Sequence, residues 1–334
     1  RPVVQAAHVL LHGKRCVAPG AWDEKALWLA GRQALNVAAA PARRAAAYSA
    51  PDGGYYILRG QNSWAMTRCH TYRDRPSQAD MLHVDLWHDG VNVLRDAGSY
   101  LYYCQEPWKH HFHSTAAHNT VEIDGRDQMT KGPRFLWFHW TRSKLLRFRT
   151  SSDGRIGVFE GEHYGYDDAN CGTPVIHRRR ICRVEDVYIV MDGLLGGPGS
   201  RNATLRWRLG GEEWVQVADG LRGRVDREDF RVLLLGPPAA TKLVVGQENP
   251  PEGWESRYYG EKEASPLLLI RAEGVSAAAW FVSVFGPAEQ VERFAGIRRF
   301  DAGNPGGKLV LARCPEAPWL LQVGELTEGS VTYE

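Results

Sequence analysis

Residues 113–128 read HSTAAHNTVEIDGRDQ, with two imidazoles bracketing small residues, then Asn119 and a strand-like TVEI. Histidine titrates near neutrality, so such a placement serves proton transfer, metal ligation or a buried hydrogen bond. The wider stretch 68–128 holds seven of the twelve histidines: His70, His83, His88, His110, His111, His113 and His118. Three segments in it each offer one potential metal ligand: Gln78 or Asp80 from PSQAD, Asp96 from RDAGSY, and His118 from AHNT. Imidazole and carboxylate together suit zinc or manganese. A plainer reading stands beside this one: Asp96 caps a turn before Ala-Gly, and His118 is a hydrogen-bonded corner residue. Tyr100, Tyr102 and Tyr103 lie between two expected strands and either present phenols to a cleft or pack. His110, His111 and His113 either line that cleft or form a solvated loop face.

Composition narrows the classes. A formal charge of +2 gives no global field for nucleic acid. Two local basic runs stand out, HRRR at 177–180 and RFAGIRRF at 293–300, each read as a solvated strand face or as a groove for an anionic polymer. The twelve Trp and thirteen Tyr suit sandwich cores and also stack on sugars. Six cysteines form no C-x-x-C pair, which excludes a zinc ribbon and a dense disulfide scaffold. No stretch reaches membrane-spanning length. P-loop, nucleophile-elbow, zincin and dinucleotide fingerprints are absent from the sequence, so no organic cofactor is expected. A glycoside hydrolase would need a carboxylate pair, and Asp80, Asp85, Asp124 and Asp127 have no spacing that selects two of them.

The elements that must position these residues change character near residue 48. Residues 1–47 are Ala/Leu-rich with apolar residues at helical spacing, and Pro41 interrupts them. From Tyr48 onward, short alternating runs are separated by Asp-Gly at 52–53, 89–90, 124–125, 153–154, 192–193 and 219–220. Asp-Gly between alternating apolar runs is a hairpin signal. In LHVDLW, Leu82, Val84 and Leu86 face one way and His83, Asp85 and Trp87 the other. The expectation is mainly β: a large antiparallel β-sandwich over 48–334 preceded by a few helices. The Pro/Gly-rich GPPAATKLVVGQENPPEGW reads as an excursion loop.

PSQADMLHVDLW (76–87), RDAGSYLYY (95–103), WKHHFHSTAAHNTVEIDGRDQ (108–128) and, more loosely, HYGY (163–166) with HRRRICRVEDVYIVMDGL (177–194) resemble the heparinase II/III family of polysaccharide lyases. The resemblance covers residues 50–210 well and the remainder by architecture. It implies a β-sandwich behind an α/α-toroid, with the active cleft between them, so that residues 1–47 would be the last toroid helices. It implies β-elimination on a uronic-acid polysaccharide, an anionic partner, and export to the periplasm or exterior. In several members a zinc sits on the sandwich, and carried over, its ligands become Gln78, Asp96 and His118. Gln78 departs from the family's histidine, and Pro76 stands where a first, catalytic histidine is expected. The resemblance places His70, Tyr102 and His118 in catalysis, and Arg73, Arg75, Trp108, His111, His113 and Asn119 against substrate, with Asn119 on the cleft floor. Without the toroid's own residues this chain alone is expected to be inactive. The competing reading is a non-catalytic carbohydrate-binding sandwich.

Overall fold

The structure is a computed structural model that describes residues 1–39, 45–167, 174–196, 199–236, 239–276 and 279–293 and three short strands beyond. Pro41, Cys171, Cys314 and residues 294–300 of the second basic run lie outside the described residues. The chain divides into two units, Arg1–Ala45 and Ala46–Glu334.

The first unit is helical. α1 (Pro2–His12) starts with Pro in its first turn, where the missing N–H costs nothing, and stops at Gly13 in the left-handed region. α2 (Glu24–Ala30) ends at Gly31, and a short 3-10 turn, Arg32–Leu35, follows. The helical pattern read through residue 47 is therefore broken early by glycine. Ala6, Val9, Ala26 and Ala34 form its small core, beside a buried Gln5–Asp23 hydrogen bond of 2.7 Å.

The second unit is almost wholly antiparallel strand. A five-stranded sheet runs in sequence order: β1 (Ala47–Ala50), β2 (Tyr55–Arg59), β3 (Ser63–Arg68), β4 (Val84–His88) and β5 (Val91–Leu94). Next come a helical turn α3 (Trp108–His111), β6 (Val121–Ile123) and a small hairpin of β7 (Thr130–Lys131) and β8 (Trp137–Phe138). The long strands follow: β9 (Ser143–Thr150), β10 (Ile156–Tyr166), β11 (Val175–Val184), β12 (Val187–Gly196) and β13 (Ser200–Arg208). Then come β14 (Glu212–Val217), β15 (Gly220–Val225), β16 (Glu228–Leu235) and β17 (Ala240–Val244). A short pair β18 (Trp254–Glu255) and β19 (Glu263–Ala264) precedes β20 (Leu267–Ser276), β21 (Trp280–Pro287) and α4 (Ala288–Arg293). The central eight-stranded sheet has the order β14-β15-β16-β21-β12-β11-β10-β9, and a four-stranded sheet has the order β17-β20-β13-β6.

Period-2 alternation assigns the faces. In β12, Tyr188, Val190 and Leu194 join the main core, while Val187, Ile189 and Met191 join a second cluster with Trp280 and Val291 of α4. The main core fuses residues of all three sheets, such as Leu58 and Leu86, Phe159 and Ile181, Leu205 and Trp207. This is the expected sandwich class.

Five of the six Asp-Gly pairs mark turns, as at Asp89–Gly90 (φ 45° and 83°) between β4 and β5. The sixth, Asp192–Gly193, lies inside β12, opposite Phe281 and Trp280 of β21. There the Asp192 carboxylate is buried against Arg179 and His177, and a Cβ on Gly193 would meet the Trp280 ring at 2.4 Å. The dipeptide serves close packing and a buried charge, not a turn. The loop expected over 236–254 also contains a strand, β17, which pairs with β20 because Leu243 and Val244 find apolar partners there.

Trp207 is fully buried, donates its indole N–H to Ser283 Oγ at 3.0 Å and meets Phe285 edge-on at 4.9 Å. Trp207→Ala should cost about 3–5 kcal/mol in a urea unfolding curve. A cost below about 1 kcal/mol would mean that the sheets do not share this core.

Candidate functional site

The polar cluster is built from three arms over the central sheet. Residues 79–83 lead into β4, residues 96–98 follow β5, and residues 113–120 lead into β6. Each small polar residue of the third arm holds one of the others. Ala79 donates its N–H to His113 O at 3.0 Å, and the Thr115 hydroxyl donates to Ala79 O at 3.2 Å. The Thr120 hydroxyl donates to Met81 O at 2.9 Å. Gln128 closes the lattice: its amide oxygen accepts the Met81 N–H at 2.8 Å and its amide nitrogen donates to Met81 O at 3.0 Å. Such complete pairing is what buried backbone in a loop requires.

Asp96 caps its turn, the plainer of the two readings made of it. Its Oδ1 accepts the Gly98 N–H at 2.7 Å, and its Oδ2 lies 2.8 Å from His118 Nδ1. Gly98 is obligatory here, because φ is +82° and a Cβ would sit 1.9 Å from Ser256 O. His118 is fully buried. Burial lowers its pKa, but the charge and hydrogen bond of Asp96, with the Asp80 charge, together outweigh burial and raise it. Reciprocally, burial raises Asp96, but the charge and hydrogen bond of His118, the His83 charge and the Gly98 N–H together hold it well below the usual carboxylate range.

His83 is the third member. Its Nε2 lies 3.8 Å from Asp96 Oδ2, and the ligand atoms of His83, Asp96 and His118 fall within 4.8 Å of one another. This donor set suits zinc or manganese in composition. Its hydrogen bonding does not. His83 Nδ1 accepts the Asn119 backbone N–H at 3.0 Å, so the ring proton belongs on Nε2, the nitrogen aimed at Asp96. A metal-bound imidazole needs the opposite arrangement, with its second nitrogen donating. Burial then keeps that ring neutral, with its pKa pushed down to about 4. Asp96 and His118 therefore form a proton-bridged pair with His83 held beside it by the Asn119 backbone, and that tautomer of His83 does not fit a metal. Gln78, expected as a ligand, is half-buried and offers its carbonyl to the Tyr72 hydroxyl at 3.1 Å.

The whole assembly rests on Arg179 of β11. Its Nε and Nη2 grip Asp192 at 2.6 and 2.9 Å, while Nη1 donates to Leu82 O at 2.5 Å and Asn119 O at 2.6 Å. Those carbonyls adjoin His83 and His118. Behind Asp192 lies a directional chain. Gly165 N–H donates to His163 Nδ1 (3.2 Å), which puts the His163 proton on Nε2 towards His177 Nδ1 (3.0 Å), and His177 Nε2–H meets Asp192 Oδ1 (2.7 Å). The basic run 177–180 is thus neither a solvated face nor a polymer groove. His177, Arg179 and Arg180 are fully buried, and Arg180 and Arg178 pair with Glu160 and Glu162.

The remaining expected residues divide by exposure. Asn119 is not on a cleft floor: it is wholly buried, its Nδ2 donates to Val84 O and Arg95 O, and its Oδ1 accepts the Arg208 N–H. His118 is equally enclosed, so it can act on a substrate only through Asp96. His111 is buried, and burial followed by the Arg208 charge pushes it down to about 3. Trp108 packs among Tyr100, Phe112 and Trp254, with Lys262 Nζ 3.9 Å from its ring centre. Facing solvent are Arg73, Arg75 and Tyr102, with His70 and His113 half-buried. Arg75 and Tyr102 share the Phe135 ring, at 5.9 and 5.6 Å. Burial lowers both His70 and His113, so each is a neutral base near pH 7.

Several residues escaped the reading of the sequence. Asp85 is one: burial and then Asp96 raise its carboxyl to about 6. Both carboxyls line a cavity of about 460 Å³ with Arg95, Gly98, Glu255 and Arg257. The other three aspartates weighed as a hydrolase pair hold cations or imidazole: Asp80 with Arg68, Asp124 with Arg201, Asp127 with His110. His83, Arg179 and Gln128 were visible as types, but only the fold brings them under the loop.

Arg179→Met should destabilise the chain by about 3–5 kcal/mol, because it leaves the Asp192 charge buried without its partner. Arg179→Met combined with Asp192→Asn should recover part of that loss. A double variant no more stable than the single one, by urea unfolding, would remove Arg179 from this role.

Residues 42–293 match the family model described as Heparinase II/III-like, C-terminal. The solved heparan sulfate lyase HepC from Pedobacter heparinus aligns with a TM-score of 0.67 at 16% identity, covering 100% of this chain and 47% of that one. A heparinase III structure gives 0.62 at 17% identity, covering 84% of this chain and 42% of that one. No curated protein matches. At these identities the structures establish the fold, and the chain spans less than half the length of either. The match over most of the sequence, on the sandwich whose buried lattice has just been described, makes this chain a member of the heparinase II/III-like C-terminal domain family.

Proposed function

We propose that this chain is the sandwich part of a polysaccharide lyase that cleaves a uronic-acid-containing, glycosaminoglycan- or alginate-like polymer by β-elimination. The observation that carries the reading is the contrast between scaffold and rim. Beside a hydrogen-bonded buried lattice stand two neutral imidazoles, His70 and His113, with Arg73, Arg75 and the phenol of Tyr102 facing solvent.

The chemistry asks for those groups. The C5 proton of a uronate is weakly acidic until its carboxylate is neutralised, which is the task of nearby donors and cations. Arg73 and Arg75 supply that charge from this chain. A neutral imidazole then accepts the proton, and an acid returns one to the leaving oxygen at C4. In this reading His70 or His113 is the base, and Tyr102 is placed to serve the leaving group. Asp96 and His118 hold the loop without touching sugar. Relatives of this fold are much longer, so the rest of the cleft comes from outside the 334 residues. The same reading puts the protein in the periplasm or outside the cell. Among the described residues no helix is long and apolar enough to cross a membrane.

A second reading, carbohydrate binding without cleavage, draws on Pro76 and Gln78, which stand where the resemblance implies histidines. Ultraviolet absorbance of unsaturated uronate ends separates the two. With the longer natural protein and a panel of uronic-acid polymers, absorbance should rise. His70→Ala, Tyr102→Ala and His113→Ala should each lower turnover by roughly tenfold or more. Unchanged turnover in all three would contradict these assignments, and binding without any absorbance would favour the second reading.

A further inference from the structure

Arg208 closes β13 and is 1% exposed. None of its three guanidinium nitrogens has a hydrogen-bond partner among the described residues. Its backbone is fixed, with N–H to Asn119 Oδ1 at 2.7 Å and its carbonyl accepting the Arg95 N–H at 3.0 Å. A guanidinium carries five N–H donors and stays charged near neutrality. Burying all five without an acceptor is not something folded chains do, so the group calls for a ligand.

The neighbours do not supply one. Asp96 and Glu255 lie near enough for their charges to act on Arg208. Yet Asp96 is held by Gly98 N–H and His118, and Glu255 is held by Arg95 and Arg257, each at 2.7 Å. Two further buried atoms are equally unmet, the Nε2 nitrogens of His111 and His118, and the Arg208 charge acts on both rings. Arg206 adds a second positive charge nearby. A cation has no place beside these groups. Water would fill hydrogen bonds but leave the charge. Asp96 and Glu255 also wall the 460 Å³ cavity.

We infer that Arg208, with the free Nε2 atoms of His111 and His118, forms an internal binding site for a compact monovalent anion, a halide or a carboxylate group. The anion accepts the guanidinium N–H bonds and, where His118 is protonated, its Nε2–H. It comes from solution. The site does not depend on the lyase reading, because an internal solution anion would occupy it in a binding protein as well.

The test uses the full natural protein in gluconate, whose bulk keeps it out. At constant ionic strength, exchange of gluconate for chloride or formate should raise the melting temperature saturably, by about 5 °C at a hundredfold excess over Kd. Chloride-35 NMR should show line broadening that formate removes. Arg208→Met, checked for folding by circular dichroism, should lose both effects, and Arg208→Lys should retain a weakened form. Should Arg208→Met not fold, the wild-type broadening and its loss with formate decide the matter alone. No chloride broadening in the wild type, or equal broadening in a folded Arg208→Met, would overturn the site.

Discussion

Arg179 is the interaction on which the rest depends. A guanidinium with no exposure is tolerable only when its donors are met, and here they reach Asp192 and two carbonyls. The two functions are inseparable. The Asp192 pair lets the charge sit in the central sheet, and the same fork then reaches the carbonyls of Leu82 and Asn119, one bond away from His83 and His118. The loop arms are thereby referenced to a rigid strand and not only to each other. Binding and chemical groups are more precise when they stand on regular elements. The histidine chain behind Asp192 fixes its orientation further, since each proton in it has one consistent direction.

The layers above follow from that anchor. Asp96 and the buried His118 form an acid–base pair in which each charge stabilises the other, and Gly98 allows the turn that brings Asp96 there. His83 completes the cluster through a backbone N–H and not through an ion. The exposed and half-buried polar side chains, Arg73, Arg75, Tyr102, His70 and His113, lie outside this lattice. Gln78 takes no part in the cluster, which is held by the His118–Asp96 bond and by the backbone N–H groups of Gly98 and Asn119.

Much of this was legible in the sequence. The sandwich class followed from alternating runs and Asp-Gly turns, and the importance of 113–128 followed from the density of small polar residues. What failed, failed for one physical reason. Local pattern says what a segment does alone, while buried charge depends on a partner far along the chain. HRRR reads as surface until Asp192, Glu160 and Glu162 are placed opposite it. Asp192–Gly193 reads as a turn until Arg179 and Trp280 claim its two positions. Asn119 reads as a ligand-facing amide until three backbone groups consume it. His83 was assigned to a strand face, but it ends the arm that precedes β4, and its neighbours across the loop were not deducible from spacing.

The central claim is that the cluster is a proton-held lattice seated on Arg179, with His118 paired to Asp96. The most direct test is a nitrogen-15 NMR titration of the His118 ring. The ring should titrate above pH 6.5, where a free imidazole has lost half its charge, and keep its Nδ1 proton throughout, because Asp96 raises its pKa and accepts that proton. A His118 ring that titrates at or below about 6.5, or that loses its Nδ1 proton when zinc is added at neutral pH, would contradict the account and return the site to a metal.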